Sequence, residues 1–255
     1  RDPEGVMAVL PADHFVAEGE EFRRVLLAAA QVAEEGHLVT LGIEPDRPAT
    51  GYGYVCRGEF LTRIDGYDVY EVEKFTEKPD LATAQRFLRS RRCYWNSGIF
   101  VWKVLTILGK IEKLMPAFYS QLMEIEQALG TPEEETLERI WAQVEDETID
   151  YGVMEHAEDV AVIPADIGWS DVGDWAALYE LLSLDGEGNV IVGEHVGLDT
   201  KGCLVHSPRL VATIGLEDMI IVDADDVVLI CPKDRAQDVR RLVDKLKEMD
   251  EEEHL

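Results

Sequence analysis

The sequence predicts an α/β fold, in which a partial doubly wound sheet is followed by a small C-terminal parallel β-helix module. Two observations carry this prediction. Along the first 43 residues an apolar run, a helical pattern and a second apolar run follow one another, which is typical of a βαβ unit. From residue 190 onward an aliphatic residue recurs every six positions, which is typical of stacked short strands. We place the domain boundary so that residues 1–184 form the first domain and residues 185–255 the second.

The elements of the first domain follow from their apolar spacing. Val6–Leu10 is a continuous apolar run closed by Pro11, and it predicts a fully buried strand. Residues 19–35 have helical spacing and stop at Gly36, and a strand over 37–43 follows. The remaining predicted elements are strands over 69–75, 93–102 and 159–164, a strand after the Gly-rich turn at 48–55, and helices over 81–90, 104–145 and 174–182. The helical region 104–145 is expected to break at Pro116 and at 130–132.

The six-residue period defines the second domain. In a parallel β-helix each short strand buries one aliphatic residue per face, so we expect the periodic residues to point inward. Ordinary strand alternation with a coincidental register is the alternative, because the turn glycines are irregular. A final amphipathic helix is predicted over 235–253. The periodic set is Val192, Leu198, Leu204, Leu210, Leu216, Val222 and Val228.

Composition excludes several classes of protein. With 46% hydrophobic residues, the 255-residue chain can form a packed core, so general disorder is excluded. The formal net charge of −28, from 24 Lys and Arg against 52 Asp and Glu, repels phosphate backbones and anionic lipid. We therefore expect neither nucleic acid nor a membrane surface as a partner.

The cysteines and the apolar runs bear on location. The four cysteines are far apart and form no C-x-x-C pair, which predicts neither a zinc site nor a disulfide framework and favours a reducing compartment. No uncharged apolar run reaches 18 residues and no signal peptide is visible, so no transmembrane helix is expected. The predicted location is the cytoplasm.

Two aspartates are candidates for a metal site. Asp13 lies just beyond the first predicted strand, at the sheet edge where ligands bind in open α/β folds, although an aspartate there also serves as a helix cap. Asp171 lies in the Gly-bounded loop 168–173 before a helix, where Ser170 or Asp171 could instead be the N-cap. Two such carboxylates at one edge would suit Mg²⁺, which commonly acts on phosphates.

Four further residues are candidates for binding a polar ligand. Glu77 and Lys78 stand side by side before Pro79, where the carboxylate could accept bonds from sugar hydroxyls and the ammonium could meet a phosphate, or the pair could be a solvated surface turn. Asn96 ends an apolar strand, where an amide is costly unless it is hydrogen-bonded. Gly53 would let the backbone approach a ligand closely, or simply form a strained turn.

The joint order of these motifs resembles the mannose-1-phosphate guanylyltransferases, which are sugar-phosphate nucleotidyltransferases. The motifs are P-A-D-H, T-G-Y-G-Y, F-x-E-K-P, Y-W-N-S-G-I-F, I-D-Y-x-V-M-E and G-W-S-D-V-G-x-W. The resemblance runs from about residue 6 to the last helix and implies a Rossmann-like nucleotidyltransferase sheet. It also implies the reaction of GTP with mannose 1-phosphate to give GDP-mannose and pyrophosphate, with Mg²⁺ as cofactor.

The resemblance assigns roles to the candidate residues. Asp13 and Asp171 would be catalytic metal ligands, and Lys78 a catalytic contact to the sugar phosphate. Gly53 would offer its amide to the sugar, and Glu77 and Asn96 would bind sugar hydroxyls. The sequence around Tyr151 lies near the active site in these enzymes, although Tyr151 could equally belong to the core.

One family motif, the loop G-x-G-G-x-R-L that holds the nucleotide phosphates, does not occur in this sequence. We therefore expect these 255 residues to lack an upstream segment and to show negligible turnover alone. Two alternatives are a nucleotidyltransferase for another sugar phosphate and a non-catalytic relative that binds sugar phosphate. A homodimer is possible in each case.

Overall fold

The structure is a computed structural model that describes residues 2–129, 134–182, 184–224 and 226–249. The chain divides into two compact units, Arg1–Trp169 and Ser170–Leu255. The boundary predicted at 184/185 lies further along the chain and stays a prediction. In the described part of the chain, every helix is too short or too polar to cross a bilayer.

The first unit alternates strands and helices in the order that the sequence predicts. The helices predicted over 19–35 and 81–90 are confirmed, and so is the break at Pro116; the break at 130–132 lies outside the described residues. The elements are β1 (Val6–Val9), β2 (Phe15–Val16), α1 (Gly19–Glu34), β3 (Leu38–Ile43), β4 (Tyr54–Ile64), β5 (Tyr67–Thr76), α2 (Leu81–Ser90), β6 (Cys93–Lys103), α3 (Val104–Leu114), α4 (Pro116–Ala128), α5 (Glu134–Trp141), a π-helical turn (Asp150–Met154), β7 (Val160–Pro164) and β8 (Trp169–Ser170).

The main sheet confirms the α/β class but is mixed in direction. Its strand order is β1-β6-β3-β7-β5-β4, and β6 also pairs with β4. Only β3 and β7 pair in parallel, because β6 runs antiparallel between β1 and β3. Apolar runs indicate burial on both faces and carry no information on strand direction, so the sequence could not show this insertion.

The prediction that Val6–Leu10 is a fully buried strand is wrong. The residues of β1 are exposed, Val6 by 37% and Met7 by 39%, because among the described strands β1 pairs only with β6. A strand is buried only when neighbours cover both its edges and its faces, and the composition of the run does not supply those neighbours.

The core of the first unit covers both faces of the central strands. Helix α1 packs Val25 and Val32 on one face, against Val39 and Ile163. Helix α3 and the π-helical turn pack on the other face of the sheet. There they contact the residues of β3, β6 and β7 whose side chains point to that face. This second cluster includes Leu38, Phe100, Trp102, Ile107, Ile111, Val153, Met154 and Val162.

The prediction that the cysteines form no disulfide is also wrong. Cys56 and Cys93 are bonded, with their Cα atoms 3.9 Å apart, while Cys203 and Cys231 are free. The two bonded residues stand directly opposite each other where β4 pairs with β6. Their separation of 37 residues hides this contact from the sequence, since only the strand register creates it.

The second unit contains stacked short strands, which confirms the predicted β-helix module. Strands β9, β11 and β13 pair in parallel, β14 adds an antiparallel edge, and β10 and β12 form a separate parallel pair. The elements are α6 (Trp175–Leu181), β9 (Val190–Val192), β10 (His195–Leu198), β11 (Leu204–His206), β12 (Val211–Ile214), β13 (Met219–Ala224), β14 (Val227–Pro232), a 3-10 helix (Lys233–Asp238) and α7 (Val239–Glu248).

The inward-pointing set predicted from the six-residue period is mostly wrong. Of the seven residues only Leu204 and Val222 are buried; Leu216 is half-buried, and the other four, Val192, Leu198, Leu210 and Val228, are exposed. The register aligns Val190, Leu204 and Ile220 instead, 14 and then 16 residues apart. Each repeat therefore contains two strands and two turns of unequal length. Because the repeats are not multiples of six residues, a strict six-residue count does not select the aligned, buried residues Val190, Leu204 and Ile220.

Candidate functional site

Three predicted sugar-binding residues meet in one row across the sheet. Tyr54 on β4 pairs with Trp95 on β6 and with Thr76 on β5. The next row therefore brings together Gly53, Asn96 and Glu77, and the Asn96 amide donates to the Gly53 carbonyl over 2.8 Å. The antiparallel pairing thus makes neighbours of residues that lie far apart in sequence.

Gly53 is required at its position by the side chains around it. A Cβ atom there would overlap Glu77 Oε2 and approach Asn96 Cβ to 3.2 Å. The Glu77 carboxylate therefore lies over the Gly53 backbone, in space that only a glycine leaves open. Gly51, two residues earlier, has open space around the corresponding position.

The Asn96 carboxamide is held in one orientation. Its Nδ2 donates to Asp150 Oδ1 over 2.8 Å, and its Oδ1 accepts from the Thr40 hydroxyl over 3.1 Å and from the Gly98 amide over 3.3 Å. The fixed donor at Gly98 and the acceptor at Asp150 decide which end is oxygen. Within the described residues one Nδ2 proton has no acceptor, so Asn96 offers a ligand one donor.

Glu77 and Lys78 differ sharply in exposure. The Glu77 side chain is 14% exposed and the Lys78 side chain 61%, with Lys78 Nζ 3.6 Å from Glu77 Oε1. The Glu77 amide donates to Glu155 Oε1 over 2.9 Å. Lys78 has a φ of +42°, an unusual value for a non-glycine residue and more so before a proline. The carboxylate is thus held inside the site while the ammonium remains free to meet an anion from solvent.

The acids of the site are poorly neutralised. Burial raises the pKa of Glu77, the nearby Asp150 raises it further, and Lys78 opposes the shift. Burial also raises the pKa of Asp150, and the hydrogen bond from Asn96 opposes that shift. Acids that are buried without enough compensation destabilise a fold and are typical of functional sites.

The segment after β1 packs beside this row. A Cβ at Gly98, whose φ is +69°, would meet Pro11 Cγ at 3.3 Å, so residues near Asp13 lie against β6 two positions from Asn96. Trp169 Nε1 donates to His14 Nδ1 over 3.1 Å, which requires the tautomer with its proton on Nε2. Asp13 itself is exposed.

An aromatic wall stands next to the row. Tyr52 lies edge-on to Trp95 and to Trp169, with ring centroids 4.9 Å and 5.7 Å away. The Arg47 guanidinium lies 5.1 Å from the Trp95 ring centroid. The rings of Tyr52 and Trp95 place an apolar surface beside the row of Gly53, Asn96 and Glu77.

Asp171 lies in a strained loop of the second unit. Val172 has a φ of +47°, which a β-branched residue rarely adopts, and its amide donates to Ser170 Oγ over 3.2 Å. A Cβ at Gly173 would come within 2.6 Å of Asp171 Oδ2. The cap of α6 is neither Ser170 nor Asp171 but Asp174, which accepts from the Ala177 amide over 2.9 Å. Asp171 is therefore not needed for helix capping.

Asp13 and Asp171 belong to different compact units, and their shared metal site stays a prediction. Within the described residues no group of three or more His, Cys, Asp or Glu could hold a metal ion. A pair of carboxylates nevertheless suits Mg²⁺, which completes its octahedron with water and substrate phosphates. Tyr151, the other residue in question, is exposed in the π-helical turn and does not belong to the core.

Three residues of the site were not selected from the sequence: Thr40, Asp150 and Glu155. Thr40 is a polar residue inside an otherwise apolar buried strand, and such a residue needs a partner, so its signal was present. Asp150 and Glu155 stand in the I-D-Y-x-V-M-E motif beside Tyr151, but their contacts depend on a π-helical turn that no periodicity reveals.

Comparison with known proteins places this geometry in a family. Residues 1–187 match the nucleotidyl transferase family, over more than half of the chain. The chain belongs to this family. Residues 193–246 match the mannose-phosphate isomerase/GMP-like β-helix domain, in agreement with the parallel strands of the second unit. Members of the nucleotidyl transferase family generally use a divalent metal ion.

Relatives of this nucleotidyl transferase confirm the resemblance to mannose-1-phosphate guanylyltransferases. The putative mannose-1-phosphate guanylyltransferase of Vibrio cholerae is 39% identical over 250 residues, which are 97% of this chain and 53% of the relative. The mannose-1-phosphate guanylyltransferase of Escherichia coli K12 is 38% identical over 255 residues, 98% of this chain and 53% of the relative. The chain thus spans about half the length of the curated relatives it matches.

Solved structures show the same likeness. A Thermus thermophilus protein described as mannose-1-phosphate geranyltransferase is 38% identical, with a TM-score of 0.81 over 95% of this chain and 70% of its own. A mannose-6-phosphate isomerase from Helicobacter pylori is 27% identical, with a TM-score of 0.57 over 67% of this chain and 65% of its own.

Proposed function

We propose that this nucleotidyl transferase is a mannose-1-phosphate guanylyltransferase, which transfers GMP from GTP to mannose 1-phosphate. A phosphate oxygen of the sugar phosphate attacks the α-phosphorus, the bond from that phosphorus to the bridging oxygen breaks, and pyrophosphate leaves as GDP-mannose forms. Such a reaction depends on positioning and charge neutralisation and needs no protein nucleophile. The observation that carries the proposal is the row of Gly53, Asn96 and Glu77 with Lys78 at its end.

Each residue of this row has a role in the proposal. Asn96 donates its remaining N–H to one sugar hydroxyl, and Glu77 accepts from others. Lys78, exposed and 3.6 Å from the Glu77 carboxylate, supplies positive charge to the phosphate of the sugar. The separation of a buried acceptor from an exposed cation suits a molecule with hydroxyls at one end and a phosphate at the other.

The proposed cofactor is Mg²⁺, held by Asp13 and Asp171. When bound, Mg²⁺ would neutralise the triphosphate and pyrophosphate charge. Asp13 follows Pro11, which packs against Gly98, and Asp171 directly precedes Val172, whose φ is +47°. GTP and mannose 1-phosphate are the proposed partners, with neither nucleic acid nor membrane, and a homodimer is compatible with the proposal.

We propose the cytoplasm as the location, because a nucleoside triphosphate donor is a cytoplasmic metabolite. The Cys56–Cys93 disulfide weighs against a strongly reducing compartment. The thiol titre of the protein isolated from cells under alkylating conditions decides whether this pair is oxidised there.

The test of the sugar site is calorimetric titration of the 255-residue chain with mannose 1-phosphate. We expect saturable binding that Glu77→Gln weakens by about tenfold, the effect of one good hydrogen bond to a charged group. Glu73→Gln is the matched control, because Glu73 is an exposed acid of β5 that pairs with Arg92. If Glu77→Gln and Glu73→Gln weaken the binding of mannose 1-phosphate equally, the effect comes from the change in net charge and not from a contact in the proposed site.

Titration with glucose 1-phosphate and with GDP-mannose separates the alternatives. Tighter binding of glucose 1-phosphate than of mannose 1-phosphate would favour a nucleotidyltransferase for another sugar. Pyrophosphate release from GTP with mannose 1-phosphate, assayed on a chain that also carries a G-x-G-G-x-R-L loop, then distinguishes an enzyme from a relative that only binds sugar phosphate.

A further inference from the structure

The π-helical turn Asp150–Met154 lies beside the row of Gly53, Asn96 and Glu77, which we call the sugar row. Asp150 and the next residue, Glu155, contact Asn96 and Glu77. Its closing bond runs from the Glu155 amide to the Asp150 carbonyl over 2.9 Å, the i to i+5 pattern of a π-helix. Val153 and Met154 are fully buried in the core, which anchors the turn. An isolated π-helical turn is rare and occurs most often at functional sites.

The two acids that flank this turn contact adjacent residues of the row. Asp150 Oδ1 accepts from Asn96 Nδ2 over 2.8 Å, and Glu155 Oε1 accepts from the Glu77 amide over 2.9 Å. In an α-helix, residues five apart point in different directions, whereas the wider π-turn brings them toward one side. The six-residue segment 150–155 thereby contacts both proposed hydroxyl ligands, Asn96 and Glu77.

This arrangement is costly for the fold. Asp150 and Glu155 both bring negative charge close to Glu77, and these neighbours as well as burial raise the pKa of the Glu77 carboxyl. Nearby Lys78 opposes the rise in pKa of both Glu77 and Asp150. Neutral side chains would hold the same backbone without this repulsion, so stability does not explain the choice of acids.

The negative charge of Asp150 affects how firmly the Asn96 side-chain amide is held. A hydrogen bond to a carboxylate is stronger than one to a neutral acceptor, so it holds the amide more firmly. The Thr40 and Gly98 donors occupy the Asn96 oxygen at the same time. The remaining Nδ2 proton is therefore held in a single direction.

We propose that Asp150 and Glu155 are positioning residues for sugar recognition, with Asp150 fixing the Asn96 amide and Glu155 fixing the backbone of Glu77. This proposal rests on the proposed function, since it assigns the two acids to the same sugar-phosphate site. Their negative charge also orients the ligand, because it repels the phosphate and leaves Lys78 as the position for that group. The ligand class is a sugar phosphate whose hydroxyl end is uncharged.

The first test observes positioning without a ligand. The side-chain NH₂ resonances of Asn96, assigned by their loss in Asn96→Asp, should exchange slowly with water in the wild-type chain. Asp150→Ala should speed that exchange by about tenfold, since it removes the acceptor. Asp146→Ala is the matched control, because Asp146 is an exposed acid four residues earlier. Unchanged exchange in Asp150→Ala would overturn the proposal.

The second test is a double-mutant cycle on mannose 1-phosphate binding. We expect Asn96→Ala and Asp150→Ala each to weaken binding by about tenfold, and the double variant to bind as the single variants do, because Asp150 acts through Asn96. Asp150→Asn, which keeps an acceptor but not the charge, should fall between. Fully additive effects would show that Asp150 contributes separately and would overturn the positioning role.

Glu155 is tested in the same titration. Glu155→Ala should weaken binding by about tenfold, and Glu155→Gln, which keeps an acceptor for the Glu77 amide, should restore most of the loss. Glu158→Ala is the control, since Glu158 is an exposed acid just beyond the turn. Wild-type binding in Glu155→Ala would remove Glu155 from the proposal.

The two kinds of test separate the possible failures. If the wild-type chain binds no sugar phosphate while Asp150→Ala still frees the Asn96 amide, the proposed function fails and the positioning contact stands. If the wild-type chain binds mannose 1-phosphate and neither Asp150 nor Glu155 affects it, the proposed function stands and the positioning role fails. Thermal unfolding of each variant shows whether a loss of binding reflects loss of the fold.

Discussion

Two acids of the candidate site in the first unit differ from two acids of the second unit in how far hydrogen bonds and nearby charges compensate them. In the first unit, Glu77 and Asp150 are half-buried acids whose pKa values are raised, mainly by partial burial. In the second unit, Asp185 accepts from the Asn189 amide over 2.7 Å and from the Glu187 amide over 2.9 Å, and these bonds lower the pKa of Asp185.

Asp223 in the second unit repeats this pattern. It accepts from Arg209 Nε over 2.7 Å and from Ser207 Oγ over 3.0 Å, and the Arg209 bond holds the pKa of Asp223 below its usual value. Hydrogen bonds of this kind, from nearby backbone and side-chain donors, stabilise turns beside the strands of the second unit. Glu77 and Asp150 in the first unit are less fully compensated, which is typical of functional sites and agrees with the proposed sugar site.

The largest expected effect concerns the disulfide, which only the first unit contains among the described residues. Replacing both Cys56 and Cys93 by alanine should lower the free energy of unfolding of the first unit by about 3–4 kcal/mol, the loop-closure entropy of a bridge spanning 37 residues. Urea unfolding followed by tryptophan fluorescence measures this. Cys231→Ala, a free cysteine of the second unit, is the control and should change the midpoint little. Equal midpoints for all three proteins would show that the bridge does not constrain the unfolded chain.

The next largest effect concerns the buried amide of the second unit. Asn189 Oδ1 accepts from the Cys203 amide over 2.9 Å, and its Nδ2 donates to the Thr200 carbonyl over 3.0 Å. Asn189→Ala leaves both backbone groups buried without partners and should cost about 2–3 kcal/mol of unfolding free energy. Binding of mannose 1-phosphate should not change. A marked loss of binding in this variant would contradict the separation of structural from functional polar groups.

A smaller effect is expected at the glycine of the sugar row. Gly53→Ala forces Glu77 Oε2 out of its place, so binding of mannose 1-phosphate should weaken about tenfold or more, equivalent to about 1.4 kcal/mol. Gly51→Ala is the matched control, since nothing lies near the added methyl group there. Calorimetric titration of both variants decides the point, and identical affinities would mean that Glu77 does not have to lie over Gly53.

The smallest effect is a dependence of stability on pH. A carboxyl with a raised folded pKa penalises folding once the pH rises above its unfolded value, so Asp150→Asn should raise the melting temperature near pH 8 by about 2 °C. That gain should disappear as the pH falls through the folded pKa, where wild-type Asp150 becomes protonated. Glu77, Glu155 and Lys78 face this group, and the loss of one negative charge also relieves Glu77.

Asp185→Asn should behave in the opposite way. Its lowered pKa contributes stability above the unfolded pKa, and this contribution is lost as the pH falls through the folded value. The variant should therefore melt below wild type at neutral pH and approach it in acid. The melting temperatures of wild type, Asp150→Asn and Asp185→Asn are measured across pH 3–8. If both variants differ from wild type in the same direction at each pH, the proposed difference between the acids of the two units is wrong.

Several features of the fold could be predicted from local patterns alone. The helix over 19–35 follows from apolar spacing and Gly36, and the strand over 93–102 from its aromatic and aliphatic run; both are present as α1 and β6. The candidate residues Glu77, Lys78 and Asn96 were selected from local motifs, a Glu-Lys pair before a proline and an amide at the end of an apolar strand, and their roles stay predictions. The burial of β1 and the inward column of the second unit were wrong, because both depend on which strands become neighbours.

The sequence by itself determined the α/β class, the β-helix module and the family, and it selected the candidate residues for the proposed sugar site. These are local properties, since apolar periodicity, turn residues and ordered motifs are complete within short stretches of chain. Only the tertiary structure decided that Cys56 meets Cys93, that Gly53 lies under Glu77, and that the π-helical turn brings Asp150 to Asn96. Each of these contacts joins residues from different strands or turns, and strand register, which sets them, is a property of the packed sheet and not of any one segment.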